Sequence, residues 1–328
     1  MMFEEMKVFA GSSHRDLANR ICQSLGIPLG ESTTIRFSNE NLLVKIEENV
    51  RCADVFVVQT ACEPLHEHIM ELFILIDALK HASAARITAV IPYMPYVRSD
   101  KKDKPRISIT ARLMADLLET AGAHRVLLMD LHAAQIQGFF RIPADQLMAA
   151  PIICRYLEKR DLSNLVLVAP DAGEVKDLIR YANTLNLSMA IIDKRRERDD
   201  ENAKAVSIIG NIEGKDCLLI DDEIASGGTV VNASKFLKAR GAARVLVACT
   251  HAVLSGQAPE RLAGAPIEEV IVTDTVPLAS KKSKIPQLTV LTVAPLFAGA
   301  IQSIHDGNSV SRLFEHQLEQ GVLDFKHS

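Results

Sequence analysis

Two adjacent carboxylates run into a turn of small and hydroxylated residues at Asp221-Asp222-Glu223-Ile224-Ala225-Ser226-Gly227-Gly228-Thr229. The apolar run before them, Leu218-Leu219-Ile220, reads as a buried parallel strand, and residues 230–240 have helical character. In open α/β sheets, ligands collect at the carboxyl ends of strands, where loops enter helix N-termini. Glycines let the backbone close on a phosphate, hydroxyls add donors, and the helix end supplies N–H groups and partial positive charge. A phosphate placed on the carboxylates would be repelled, so the acids suit sugar hydroxyls or a metal beside it. The stretch reads as a sugar-phosphate site, with a tight strand-to-helix turn carrying an acidic N-cap as the alternative.

Other strand-end segments carry polar chemistry. Asp130-Leu131-His132 places an imidazole beside a carboxylate, suited to a metal or a phosphate, or to a structural histidine. Pro170-Asp171-Ala172-Gly173 puts a carboxylate and a glycine turn after another apolar run. Asp193-Lys194-Arg195-Arg196 follows Ile191-Ile192; its cations could stabilise charge on a transferring phosphoryl group, or form a solvated face. Residues 98–106 are polar and mostly basic, either a loop that closes over an anion or a surface loop.

The elements that must position these groups alternate. Strands are predicted at 55–59, 87–91, 125–130, 165–169, 189–192, 244–249 and 270–273, with helices at 67–81, 109–121, 175–185 and 230–240. This grammar implies parallel sheets covered by helices. Ala-Gly-Ala-His-Arg-Val at 121–126 and Arg-Gly-Ala-Ala-Arg-Val at 240–245 punctuate the halves alike. Two related α/β domains are therefore expected, 1–149 and 150–328, meeting at Ala149-Ala150-Pro151.

Composition narrows the function classes. With 328 residues, 48% hydrophobic, 24% charged and a net charge of −4, the chain is an ordinary globular one without the basic excess of a general nucleic-acid binder. The six cysteines form no CxxC pair and suit buried thiols in a reducing cytoplasm. No secretory signal and no apolar run of membrane-spanning length are read in it, so no membrane partner is expected and a cytoplasmic location is.

Along nearly its whole length the chain resembles the ribose-phosphate pyrophosphokinase (PRPP synthetase) family. The runs that carry the resemblance are Arg36-Phe37-Ser38, residues 46–51, Ile91-Pro92-Tyr93, residues 130–140, residues 191–196 and Thr250-His251. Phosphoribosyltransferases share the acidic pair and glycine turn, but neither the 130–140 run nor the Asp-Lys-Arg-Arg segment. The resemblance implies tandem domains of the type I phosphoribosyltransferase-like kind, each with a mostly parallel sheet flanked by helices. It also implies transfer of the β,γ-diphosphoryl group of Mg-ATP to the 1-hydroxyl of ribose 5-phosphate, giving PRPP and AMP.

Carried over by position, Asp221 and Asp222 would hold the ribose hydroxyls, and Ser226, Gly227, Gly228 and Thr229 the 5-phosphate. Lys194 and Arg196 would be catalytic, stabilising the transferring group. Phe37, Asn39, Asn41, Arg98, Ser99, Asp100, Lys101 and His132 would serve the nucleotide, with His132 and Asp171 on the Mg²⁺. The family also implies a homo-oligomer, dimer-based and in some members a hexamer. It further implies phosphate and ADP regulation involving Arg51, Ser309 and Ser311, with His81 where arginine is usual.

Departures fall in the same places. Asn39 and Asn41 replace acids at the adenine turn and, being donors as well as acceptors, imply weaker discrimination between ATP and other nucleotides. Ala225 replaces an acid beside the sugar. Glu174 and Asp177 add negative charge near the diphosphate. They leave a catalytically weak regulatory homologue as an alternative, and a phosphoribosyltransferase as a further one.

Overall fold

The computed structural model describes residues 5–171, 173, 175–195, 204–311 and 313, with backbone alone at 194, 195 and 204–206. Two compact units emerge, one of Met1–Met148 with Thr275–Pro277 and Thr292–Ser328, the other of Ala149–Asp274 with Leu278–Leu291.

The first unit opens with β1 (Met6–Ala10), α1 (Arg15–Leu25) and an antiparallel hairpin, β2 (Ser32–Arg36) and β3 (Leu42–Ile46). β4 (Asp54–Val58), α2 (Leu65–His81), β5 (Arg86–Ile91), α3 (Thr110–Ala121), β6 (Arg125–Met129) and β7 (Ala144–Leu147) follow. The strands β1-β4-β5-β6-β7 form a parallel sheet in which spatial order follows chain order. β4, with the sequence Asp-Val-Phe-Val-Val, is buried at every position, as a strand covered on both faces must be. Leu72, Leu75, Ile76 and Leu79 of α2 and Met114 and Leu118 of α3 pack into one core with Val55, Val57, Ile87 and Val126.

The second unit holds α4 (Ala150–Leu157), β8 (Leu165–Ala169), α5 (Val175–Leu185), β9 (Met189–Arg195), β10 (Lys204–Ile209), β11 (Asp216–Glu223), α6 (Gly228–Ala239) and β12 (Arg244–His251). α7 (Ala258–Ala263), β13 (Glu269–Thr273), α8 (Ala279–Lys282) and β14 (Leu288–Leu291) complete it. Its sheet runs β10-β9-β8-β11-β12-β13-β14, parallel except for β10 against β9. Here chain order reverses between β8 and β11: β8 leads to β9 on one side, and β11 leads to β12 on the other. The matching punctuation of the two halves is one device used twice. Gly122, φ 119°, follows α3 before β6, and Gly241, φ 89°, follows α6 before β12.

The expected division at 149/150 falls within a residue of the first change of unit, but 150–328 is not one body. From Thr292 the chain returns to the first unit, where α9 (Ala294–His305) packs beside α1. Two causes are visible. Phe297 and Ile301 are fully buried, so α9 carries apolar area that needs cover. Asp54, 0% exposed on β4, accepts Arg86 Nε at 2.7 Å and Arg86 Nη2 at 2.5 Å, and lies 2.9 Å from His305 Nδ1. Arg86 Nη2 also donates to the Ile304 carbonyl at 2.9 Å.

All six cysteines are free; Cys52 is exposed and the others are buried, so the expectation of buried thiols fails at that position. Cys52 sits in a turn with φ 62°, ahead of the buried strand. Among the described residues no helix is long and apolar enough to cross a membrane. Asp54→Ala leaves a guanidinium without its anion and frees α9, and is expected to destabilise the protein by about 3 kcal/mol. Urea unfolding followed by circular dichroism measures this, and an unchanged midpoint would refute the role given to Asp54.

Candidate active site

The sheet of the second unit places its ligand crevice by topology, because open α/β sheets bind at the carboxyl ends of strands where order reverses. Here that place is the β8/β11 boundary. β8 ends at Ala169 and hands on to Pro170 and Asp171; β11 stays paired with β12 through Glu223, beyond its last register partner on β8, Leu219 with Val168. Asp221 and Asp222 therefore lie on strand, not in loop, and alternate to opposite faces. Both are partly exposed, whereas Glu223 is buried. The Cys249 thiol, fully buried beside these acids, is pushed well above its usual pKa by burial and by the neighbouring negative charge.

The turn that follows is held from behind. Leu254 N–H donates to the Ile224 carbonyl at 2.9 Å, Ser255 N–H to the Ala225 carbonyl at 2.9 Å, and Arg261 Nη1 to the Ser226 carbonyl at 3.2 Å. In a trans peptide the carbonyl and the next N–H point in opposite directions. Tying back successive carbonyls thus turns the N–H groups of Ala225, Ser226 and Gly227 the other way. Gly227 has φ 74°, and α6 begins at Gly228, so the helix adds its own unbonded N–H groups to the same concavity. Ser226 is exposed, and its Oγ lies 3.8 Å from where a Cβ on Gly228 would stand. The helix thus starts two residues earlier than the predicted 230. That puts Gly228 and Thr229 in its first turn, where an anion binds best.

Asp171 stands in the turn after β8, where it accepts the Gly173 N–H at 2.9 Å. Asp177, expected to burden this region with charge, opens α5 and pairs with Arg180 at 3.6 Å. An acid in a first helical turn is also favoured by the helix dipole. Glu174 and Arg196 lie outside the described residues. Lys194 is described as backbone, on β9 opposite Ala205.

In the first unit the 130–140 run is built as a plug with polar outlets. Asp130 takes the uncommon φ of 34° at the end of β6, and its N–H bonds the Leu147 carbonyl at 3.0 Å. Leu131, Ile136 and Phe140 are buried in the α2/α3 core, while His132 is exposed. Gln135, to which the sequence assigned no role, donates Nε2 to Asp100 Oδ2 at 3.0 Å and so moors the 98–106 loop. Ser99 closes the neck of that loop: its hydroxyl donates to the Ser108 carbonyl at 3.1 Å and accepts the Thr110 N–H at 3.3 Å. Arg98 and Lys101 are exposed.

Phe37, Asn39 and Asn41 share the β2–β3 turn. Phe37 is 47% exposed and donates its N–H to the Asn41 carbonyl at 2.9 Å, while Asn39 Oδ1 accepts the Asn41 N–H at 3.3 Å. An exposed aromatic ring on a short hairpin is available for stacking.

Among the described residues no group of three or more His, Cys, Asp or Glu side chains forms a ready-made metal cage. Mg²⁺ commonly takes one or two carboxylates together with waters and substrate phosphates. Asp171 fits such a set. Imidazole is a poor partner for this hard cation, so His132 is better matched to a phosphate oxygen.

Gly227→Ala is expected to cost about 1 kcal/mol from the left-handed backbone, and to weaken inorganic phosphate binding at the turn. Isothermal calorimetry checks it, and unaltered phosphate affinity would contradict the cradle.

Comparison with known proteins agrees with this fold. The N-terminal domain of ribose phosphate pyrophosphokinase matches residues 6–122, and the phosphoribosyl synthetase-associated domain matches residues 201–315. The chain is 49% identical over 310 residues to the ribose-phosphate pyrophosphokinase of Caldanaerobacter subterraneus subsp. tengcongensis, covering 94% of this chain and 98% of that one. It is 48% identical over 311 residues to that of Deinococcus radiodurans, covering 94% and 97%. The crystal structure of phosphoribosylpyrophosphate synthetase from Mycobacterium smegmatis superposes with a TM-score of 0.88 at 41% identity, over 93% of this chain and 100% of that one. Matched in sequence and in fold along nearly its whole length, this chain belongs to the ribose-phosphate pyrophosphokinase family.

Proposed function

We propose that this protein transfers the β,γ-diphosphoryl group of ATP to the 1-hydroxyl of ribose 5-phosphate, releasing AMP. The observation that carries this is the acidic pair on β11 leading into the N–H cradle of residues 225–229, a sugar-phosphate site with its acceptors and donors in the right order. Asp221 and Asp222 accept from the ribose hydroxyls. Ser226, Gly227, Gly228 and Thr229 take the 5-phosphate through backbone N–H groups and the two hydroxyls. Lys194 and Arg196 offset negative charge on the group in flight. Phe37 stacks on the base, with Asn39 and Asn41 on its edge. Arg98, Asp100 and Lys101 bring the nucleotide loop, Ser99 and Gln135 keep its base in place, and His132 donates to a phosphate oxygen. Magnesium, when bound, neutralises nucleotide phosphate charge, and Asp171 is the carboxylate that would hold it. These residues act by positioning and electrostatics, which is where most phosphoryl-transfer catalysis resides.

Several observations support the wider setting. Buried free thiols at Cys22, Cys62, Cys154, Cys217 and Cys249 fit a reducing cytoplasm. Met70 on α2 and Leu113 and Leu117 on α3 are exposed apolar side chains on two helices in contact, and a second copy would take them out of water. We therefore take the protein to be a homo-oligomer without nucleic-acid or membrane partners. The Asp177–Arg180 pair and the similarity over nearly the full chain favour the enzyme over a non-catalytic subunit. A phosphoribosyltransferase is disfavoured because it leaves Lys194, Arg196 and the 130–140 run without a task.

With Mg²⁺, ATP and ribose 5-phosphate the purified protein is expected to release AMP. Lys194→Ala should lower kcat by about two orders of magnitude or more with the fold retained; chromatographic quantitation of AMP decides, and no AMP from the parent protein rules the activity out. Light scattering at micromolar concentration should give a multiple of the chain mass, and a monomer would exclude the oligomer.

A further inference from the structure

We infer that Arg261 is a positioning residue for the ribose-phosphate end of the reaction, setting the orientation of the Ser226–Gly227 peptide that the phosphate meets. This deepens the function proposed above and rests on it.

The carbonyls of Ile224 and Ala225 are tied by backbone N–H groups of Leu254 and Ser255, which no side-chain change can remove. The carbonyl of Ser226 is tied by a side chain, through Arg261 Nη1 at 3.2 Å. It is also the peptide most in need of an anchor. Gly227 follows it at φ 74°, and glycine accepts either hand of φ at little cost. A flipped 226–227 peptide would aim a carbonyl oxygen at the anion in place of the Gly227 N–H. The guanidinium holds one orientation before any ligand arrives, so the ordering is not charged to binding. A charged donor does this more firmly than a neutral one and adds positive potential beside the turn.

The mooring of Arg261 is local. α7 lies against the turn: a Cβ on Gly227 would meet Ala258 Cβ at 3.6 Å and Ala258 Cα at 3.7 Å. The segment between β12 and α7 is braced from α8, where Lys281 Nζ donates to the Val253 carbonyl at 2.5 Å. Arg261 itself is exposed. It is not needed to fill a core, and its loss should be felt at the turn rather than in folding.

In the full-length protein, Arg261→Ala is expected to raise KM for ribose 5-phosphate by about five-fold or more, the loss of one charge-assisted hydrogen bond acting through the loop. KM for ATP and the ligand-free melting temperature should stay at parental values. The rise in melting temperature on adding ribose 5-phosphate without nucleotide should shrink. Arg261→Met keeps most of the stem and removes the donor, and should give the same split even where the alanine variant folds poorly. An unchanged KM for ribose 5-phosphate in both variants, or an equal rise in both KM values, overturns the inference. A parent protein that releases no AMP would sink the proposed activity, while the melting shift with ribose 5-phosphate would still decide on Arg261.

Discussion

Backbone carbonyls at residues 224–226 are each tied by a hydrogen bond from the chain after β12, and that constraint shapes the turn between β11 and α6. Leu254, Ser255 and Arg261 take them, leaving the following N–H groups turned the other way, as the proposed phosphate site needs. The cradle therefore needs no cationic side chain at its floor. Its donors are peptide groups, held rigid by a strand on one side and a helix start on the other. Such fixed dipoles stabilise charge without reorganising when the ligand arrives, which is the property a phosphoryl-transfer site requires.

Why the cradle forms where it does follows from the sheet. In the first unit, spatial order follows chain order across β1-β4-β5-β6-β7, so no crevice opens at a reversal. In the second, β8 and β11 are neighbours whose continuations diverge, and the loops leaving them separate. Asp171 lies on one lip and the 221–229 stretch on the other. β11 also outruns β8, so its acids stand clear of the neighbouring strand while still gripped by β12. Asp221 and Asp222, on consecutive strand positions, are both partly exposed at this end of the sheet.

The first unit presents chemistry on loops whose bases are secured by ordinary packing. Leu131, Ile136 and Phe140 anchor the run that exposes His132. Gln135 and Ser99 then settle where the basic loop begins and ends. The same unit depends on a helix supplied from the far end of the sequence. α9 is tied through Asp54, Arg86 and His305, and a buried carboxylate that has lost its cations is far costlier than the pair is stabilising. The sheet of the first unit and α9 are thus one thermodynamic unit despite their separation in sequence.

Local signals in the chain were sufficient for much of this. Apolar β-branched runs bounded by glycine and proline mark buried parallel strands by composition, and 165–169 and 175–185 coincide with β8 and α5. The acid pair and glycine turn read as a sugar-phosphate site from their order of acceptors and donors, and the strand-to-helix turn expected there is present as β11 and α6. What pattern could not supply is contact between distant segments. β1 and the β2–β3 hairpin are short, and α9, apolar on most sides, takes its place from what it packs against, whereas α1, not among the predicted helices, carries a clear helical stripe at Leu17, Ala18, Ile21 and Cys22. Residues 292–305 read as part of the second domain because covalent adjacency is all a sequence displays; burial of Phe297 and the Asp54–His305 contact assign them to the first. Ser99, expected at the nucleotide, also closes the neck of its loop, while Gln135, inside the 130–140 run, and Arg261, in no motif, were assigned no role of their own. Their roles arise from one hydrogen bond each, made across 35 residues of chain in both cases, and only the folded arrangement brings those partners within reach.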